Sequence, residues 1–242
     1  MSFLEIRNLT VQFGGLKAVN DLSLDVKAGE LRCLLGPNGA GKSTMLDLIC
    51  GKTKATSGQI LFQGQDITWL KEYKRARQGV GRKFQVPSVF KQLTVLENLE
   101  VAQSRKAGVL DALLVFRTPV RGRIKEVLER VGLIEMIDTH AGNLSHGQTQ
   151  WLEIAMLLAQ DSKLILMDEP TAGMTIQETL KTAEIFNTLK GEHTLIVVEH
   201  DMQFVREVAE RVTVMNQGSV LADGSIAEIE ADPRVKAVYL GH

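Results

Sequence analysis

The clearest chemistry in the chain sits in nine consecutive residues. Gly36-Pro37-Asn38-Gly39-Ala40-Gly41-Lys42-Ser43-Thr44 satisfies the spacing G-x-x-x-x-G-K-[ST]. Residues without a Cβ let several backbone N–H groups converge on phosphate oxygens. The predicted helix Lys42–Cys50 directs the positive end of its dipole to the same point. Lys42 would then reach the β- and γ-phosphates of a nucleotide, and Ser43 would ligate Mg²⁺. A second constellation closes an apolar run: Leu164-Ile165-Leu166-Met167 is followed by Asp168 and Glu169. At the carboxyl end of a strand in an open α/β sheet, such side chains lie where ligands bind. Asp168 suits a Mg²⁺ ligand acting through water, and Glu169 a general base that poises the attacking water. An acidic pair after a strand is also a common solvated strand end or helix cap. A phosphate loop in the same chain favours the catalytic reading.

For these residues to meet, the loop and the acidic pair must end strands of one sheet. Leu31-Arg32-Cys33-Leu34-Leu35 reads as an apolar strand running straight into the glycine-rich loop. Upstream, Leu4–Leu9, Thr10–Phe13 and Leu22–Val26 mix apolar, polar and β-branched residues between turn residues such as Gly14-Gly15, the pattern of an antiparallel sheet. A further strand covers Gly79–Phe84. From Val86 to about Gln160 the spacing turns helical, with helices expected over Leu93–Arg105, Arg121–Arg130 and Gln148–Gln160. Beyond them strands and helices alternate: Leu164–Met167, Ile176–Leu189, Thr194–Val198, Met202–Glu210, Arg211–Met215. Such alternation demands crossover connections and a parallel sheet. The expected fold class is α/β, a P-loop core of mixed sheet with an antiparallel N-terminal β part. A helical subdomain is inserted at about 86–160, and one domain spans 1–242, since no Pro/Gly/Ser linker separates two units.

Composition removes several classes. With 242 residues, 44% hydrophobic and 24% charged, the chain is globular rather than disordered or fibrous. Its 28 basic residues face 29 acidic ones, so it lacks the positive surplus of a nucleic-acid binder. The longest unbroken apolar run is Ile154–Ala159, far short of the ~18 residues of a membrane helix, and no signal peptide is visible at the N-terminus. Cys33 and Cys50 are isolated in apolar surroundings, which suits buried thiols in a reducing compartment. A cytosolic protein that works at a membrane only through partners is expected.

The order of motifs resembles the ATP-binding subunit of ABC transporters over nearly the whole chain. Leu144-Ser145-His146-Gly147-Gln148 is close to that family's LSGGQ signature. Ser145 and Gln148 are also spaced as a capping box, and the two readings are compatible. The resemblance implies ATP and Mg²⁺ as cofactors, with the nucleotide held by Gly36, Pro37, Asn38, Gly39, Ala40, Gly41, Lys42, Ser43 and Thr44. It implies that Ser145, Gly147 and Gln148 point at the γ-phosphate of an ATP held by a second subunit, so that two ATPases sandwich two nucleotides. Gln85 matches the Q-loop glutamine that contacts Mg²⁺ or water, joining Ser43 and Asp168 at the metal. His200 matches the switch histidine that donates to the γ-phosphate, and Phe13 the aromatic residue that stacks on adenine. Without the family, Gln85 would be a polar turn residue, His200 a helix start before Asp201, and Phe13 a core residue. Two positions depart from the pattern: His146 stands where the family usually has glycine, and Thr175 where many members carry the D-loop aspartate.

One phosphate loop and no membrane span resemble a separate importer subunit. Leu16-Lys17-Ala18-Val19-Asn20-Asp21 and the tail Asp232–Gly241 are similar to the branched-chain amino acid and urea/amide group. Gly81-Arg82-Lys83-Phe84-Gln85, Trp151-Leu152-Glu153-Ile154 and Ala172-Gly173-Met174-Thr175 look like the urea importer's ATPase. This resemblance implies integral-membrane permease subunits whose coupling helix enters a groove near Val86-Pro87-Ser88-Val89-Phe90. It also implies a second ATPase subunit, an indirect link to a solute-binding protein, no nucleic acid, and a place on the cytoplasmic face of the inner membrane. A soluble ABC ATPase without transport, of the iron–sulfur assembly type, is the alternative.

Overall fold

The computed structural model describes residues 2–83, 89–104 and 118–240; Gln85 and the Val86-Pro87-Ser88 part of the expected groove lie outside the described residues. Strands β1 (Leu4–Phe13) and β2 (Leu16–Val26) form an antiparallel hairpin, with Leu4 opposite Val26 and Phe13 opposite Leu16. The expected strands Leu4–Leu9 and Thr10–Phe13 are one strand with an irregularity inside it. Asn8 adopts φ 47° and the pairing register shifts between Ile6 and Leu9. Inserting one residue inverts the alternation, so Leu4 and Ile6 before the bulge and Leu9 and Val11 after it all face inward. β4 (Ser57–Phe62) and β5 (Gln65–Asp66) complete a sheet of order β2-β1-β4-β5.

The second sheet has the order β10-β9-β3-β8-β7-β6. It contains β3 (Leu31–Leu35), β6 (Val80–Lys83), β7 (Leu164–Asp168), β8 (Thr194–Val198), β9 (Arg211–Asn216) and β10 (Ser219–Gly224). All its pairings are parallel except the β9–β10 hairpin. The central strands are apolar on both faces, as a sheet covered on two sides requires. Leu34, Leu166, Ile196 and Val198 pack with Met45, Leu46 and Ile49 of α1 (Lys42–Cys50) and with the first sheet. Cys33, Leu35, Ile165, Met167, Leu195 and Val197 face the helices on the other side. Helix α1 is thereby clamped between two sheets, which fixes its N-terminus at the end of β3.

Two buried arginines interrupt this apolar pattern. Arg32, in the middle of β3, donates to Glu30 (2.7 Å), Thr213 (3.2 Å) and Asp223 (3.1 Å), so its charge is compensated where it is buried. Arg75, on α2 (Glu72–Gln78), donates to the carbonyls of Leu48 (2.6 Å) and Ile49 (2.9 Å). Those carbonyls belong to the last turn of α1 and have no partner within the helix, so a guanidinium there closes its negative end.

Between β6 and β7 the described chain is helical: α3 (Val95–Ser104), α4 (Thr118–Arg130) and α5 (His146–Ala159), with single turns at Ile134–Met136 and Ala141–Asn143. Helix α5 starts two residues before the expected Gln148, because Ser145 is its N-cap. The capping box is present, with Ser145 accepting from the Gln148 N–H and Gln148 reaching back to the Ser145 N–H. Lys83 of β6 and Glu153 of α5, both buried, form an ion pair at 3.7 Å that ties this helix to the sheet. The chain continues through α6 (Ile176–Leu189), α7 (Met202–Val208), α8 (Ile226–Ala231) and α9 (Pro233–Leu240). Cys33 and Cys50 are both buried free thiols. Among the described residues no helix is long and apolar enough to cross a membrane.

Candidate active site

The loop from Gly36 to Gly41 turns the chain from β3 into α1, and two of its glycines are required by space as well as by φ. A Cβ on Gly36 (φ 143°) would lie 2.2 Å from the Met215 carbonyl oxygen, and one on Gly41 (φ 98°) 2.3 Å from that of Ala18. Gly39 (φ 81°) has open space around it, so there the backbone conformation alone selects glycine. Ala40 is buried and donates to the Pro37 carbonyl (3.1 Å), while Asn38, Gly39 and Ser43 are exposed on the open side of the loop. Gly41 is the N-cap of α1 and offers no side-chain cap, so the first-turn N–H groups, those of Ser43 and Thr44 among them, take no side-chain acceptor from it and are available to an anion. Lys42 folds over the loop and donates to the carbonyls of Gly36 (2.7 Å) and Pro37 (3.0 Å). Burial lowers the Lys42 ammonium below its ordinary value, against the pull of Glu169 and Asp168 in the opposite direction. Those two carboxylates are therefore its electrostatic neighbours.

Asp168 ends β7, two strands from β3 in the sheet, and is buried at 3% exposure. Its Oδ2 lies 3.8 Å from Arg82, whose other terminal nitrogen bonds Asp47 of α1. Its Oδ1 is buried with no hydrogen-bond partner among the described residues. A buried carboxylate oxygen without a donor is costly unless a cation takes it. The residues fit Mg²⁺: a hard cation that keeps most of its water and phosphate ligands needs only a carboxylate and a hydroxyl from protein. Consistent with so sparse a set, the described residues contain no cluster of three or more His, Cys, Asp and Glu able to hold a metal by themselves.

Glu169 follows at φ 47°, a left-handed conformation that is strained for a side chain with a Cβ. Its N–H donates to the Val198 carbonyl (2.9 Å), which pins the turn to β8. The turn separates the two acids: Asp168 stays in the core and Glu169 points to the open side, 3.7 Å from Nδ1 of the exposed His200. His200 is not a helix start, since Asp201 is the N-cap of α7 and accepts from Gln203 and Phe204. Glu199, absent from the sequence reading, is 1% exposed and accepts from both the N–H (3.1 Å) and hydroxyl (2.6 Å) of Thr171 and from the N–H of His200 (3.1 Å). It holds together the segments after β7 and β8. Arg82 stands in the Gly81–Gln85 string of the sequence, but its place between Asp47 and Asp168 is not marked there. Both have partners far away in sequence, and no local spacing marks them.

The structure brings Lys42, Asp168, Glu169 and His200 to one end of the sheet. Ser145, Gly147 and Gln148 belong to a different group, at the N-terminus of α5. Ser145 Oγ and the Gly147 N–H both donate to Glu178 of α6, and His146 Nε2 lies 3.0 Å from the Ala172 carbonyl oxygen. Thr175, at the position expected of a D-loop residue, is the N-cap of α6. Phe13 is half-exposed at the end of the β1–β2 hairpin, not a core residue. A groove of about 760 Å³ is lined by Tyr73, Arg82, Phe90, Val101, Glu153 and Met156, among others.

A parallel sheet with a phosphate loop after one strand, and an aspartate and glutamate after another, defines a P-loop nucleoside triphosphatase. The family model described as ABC transporter matches residues 19–172. The chain belongs to that family; it is an ATP-hydrolysing cassette that uses ATP and Mg²⁺. It is 38% identical to the high-affinity branched-chain amino acid transport ATP-binding protein BraF of Pseudomonas aeruginosa, over 98% of this chain and 97% of that one. Among solved structures it is similar to the ADP conformation of MJ1267, an ATP-binding cassette of an ABC transporter (TM-score 0.88, 30% identity, all of both chains). It is also similar to MJ0796, a dimeric post-hydrolysis cassette bound to ADP and Pi (TM-score 0.77, 27% identity, 92% of this chain and 98% of that one).

Proposed function

We propose that the chain is the ATPase subunit of an importer for a small polar solute. Integral-membrane permease subunits hold it at the cytoplasmic face of the inner membrane, and a solute-binding protein is linked to it only through them. The observation that carries this reading is the groove between the sheet and the helices inserted at about 86–160, within a single domain spanning 1–242. Tyr73 (51%), Phe90 (51%) and Val101 (39%) expose apolar surface along it, beside the half-buried Arg82 and the Lys83–Glu153 pair. Apolar exposure rimmed by charge suits a partner helix, and Arg82 connects that surface to Asp168.

For hydrolysis, the loop amides of residues 36–44 and Lys42 cradle the phosphates, and Phe13 offers its exposed ring to adenine. Ser43, Asp168 and Gln85 would hold Mg²⁺, which supplies charge neutralisation on the phosphate oxygens. Glu169 orients the attacking water and takes its proton, and His200, 3.7 Å away, donates to the γ-phosphate. The second subunit, another copy or a similar ATPase, supplies the signature segment and closes the site against water. The dimeric MJ0796 supports this pairing.

On solute, similarity to BraF over nearly the whole chain supports a branched-chain amino acid. The strings around Gly81–Lys83, Trp151–Ile154 and Ala172–Thr175 support urea or a short amide, and this second reading rests on them alone. Tagged purification from detergent-solubilised membranes tests the assignment. Polytopic permeases and a second ATPase are expected, and soluble partners alone would overturn it in favour of the non-transport alternative. Uptake of labelled leucine against labelled urea by the recovered complex then separates the two solutes.

A further inference from the structure

Glu178 serves two sets of donors at once. Its Oε2 accepts from the N–H (3.0 Å) and hydroxyl (3.1 Å) of Thr175, forming the capping box of α6. Its Oε1 accepts from the Ser145 hydroxyl (3.0 Å) and the Gly147 N–H (3.3 Å), on the neighbouring helix α5. The carboxylate lies directly over the Gly147 backbone, where an added Cβ would come within 2.5 Å of Oε1. Donation from the Thr175 backbone, helped by Ser145 and Gly147, holds the Glu178 carboxyl below its ordinary value, so it is charged at neutral pH. Beside it, His146 Nε2 meets the Ala172 carbonyl at 3.0 Å, a second link between α5 and the segment that follows Glu169.

We infer that Glu178 is a positioning residue that takes the phosphate's place: its carboxylate holds the signature donors until the γ-phosphate on a second subunit displaces it. This rests on the proposed role of Ser145 and Gly147. The stoichiometry of donors forces the competition. A hydroxyl has one proton, and the Ser145 proton goes to Glu178 while its oxygen accepts from the Gln148 N–H (3.2 Å). Ser145 cannot also donate to a phosphate, and a second anion at the same donors is repelled by the first. Displacing Glu178 also frees Oε1 of the group that caps α6. The arrival of ATP on one subunit is thereby transmitted to Thr175, six residues beyond Glu169 on the other. His146 keeps the two segments in register while the carboxylate moves.

The test is an ATP–Mg²⁺ titration of dimer formation, read by analytical ultracentrifugation, in the hydrolysis-deficient Glu169→Gln background with and without Glu178→Gln. Neutralising the competitor lowers the ATP concentration at half-dimerisation by at least about fivefold, the lower end of coupling between linked sites. A purely structural Glu178 gives the opposite sign, since weakening the α6 cap loosens the interface. An unchanged or higher midpoint, with the Glu169→Gln parent dimerising normally, overturns the proposal and leaves the signature reading standing. A parent that binds a fluorescent ATP analogue yet never dimerises, either with itself or with the second ATPase recovered from the membranes, overturns both. If Glu178→Gln does not fold, Glu178→Asp, which withdraws the carboxylate by one methylene, is held to the same criterion.

Discussion

Glu199 Oε1 accepts both the backbone N–H and the hydroxyl of Thr171, at 3.1 and 2.6 Å, from a position 1% exposed. The contact joins the turn after Glu169 to the residue before His200, so the two groups proposed to flank the attacking water share one buried support. Glu199→Gln replaces one acceptor oxygen with a donor and sets it against Thr171 or His200. Turnover is expected to fall by up to about 100-fold, the scale a 1 Å misplacement reaches, with ATP affinity nearly unchanged. A matched fall in affinity, measured by equilibrium nucleotide binding, would mean that Glu199 supports the loop and not the catalytic pair.

Glu169→Gln keeps the shape of the turn and removes the base. Turnover should drop by about 10²–10⁴-fold while ATP stays bound and the dimer stays closed. Single-turnover hydrolysis within a few-fold of the parent would remove Glu169 from the role.

Lys42→Ala removes the ammonium that lies over the Gly36 and Pro37 carbonyls. A charge-assisted bond of about 1.5–3 kcal/mol to phosphate corresponds to a loss of roughly ten- to a hundredfold in nucleotide affinity. Isothermal titration with the non-hydrolysed nucleotide measures it, and unchanged binding would place Lys42 outside the site.

Gly41→Ala and Gly15→Ala form a contrasting pair. At Gly41 (φ 98°) the new Cβ would meet the Ala18 carbonyl at 2.3 Å, whereas at Gly15 nothing lies within 4 Å. Strain at an αL position costs on the order of 1–3 kcal/mol before the clash is added, while an unobstructed surface change stays within about 0.5 kcal/mol. Urea denaturation of both variants checks the difference; equal midpoints would refute the loop geometry.

Ser225 and Glu228 form a capping box on α8, and donation from Ser225 holds the Glu228 carboxyl below its ordinary 4.5. A carboxylate lowered by folding contributes stability above its unfolded value, and that contribution is lost as pH falls through the folded value. The Tm advantage of the parent over Glu228→Gln is therefore full at pH 6 and shrinks progressively below 4.5. A Tm difference constant from pH 6 to pH 3 would show that the charge plays no part in the cap.

Local signals carried much of this protein. The phosphate loop is legible because glycine spacing, the preceding apolar strand and the following helix are contiguous. The Ser145 capping box and the helix over Ile176–Leu189 are likewise written within a few residues. The alternation beyond Leu164 implies a parallel sheet because crossovers leave no other arrangement. What the linear pattern could not convey is which distant groups meet. Arg32 sits in a strand that reads as apolar, and only the fold supplies Asp223, 191 positions away, to balance it. Glu199 finds Thr171 across 28 positions, and Glu178 finds Ser145 across 33. A short-range motif is set by backbone conformation, which a few residues determine among themselves. The partner of a buried charge is chosen by whichever strands and helices the whole core brings alongside it, and that is a property of the tertiary structure alone.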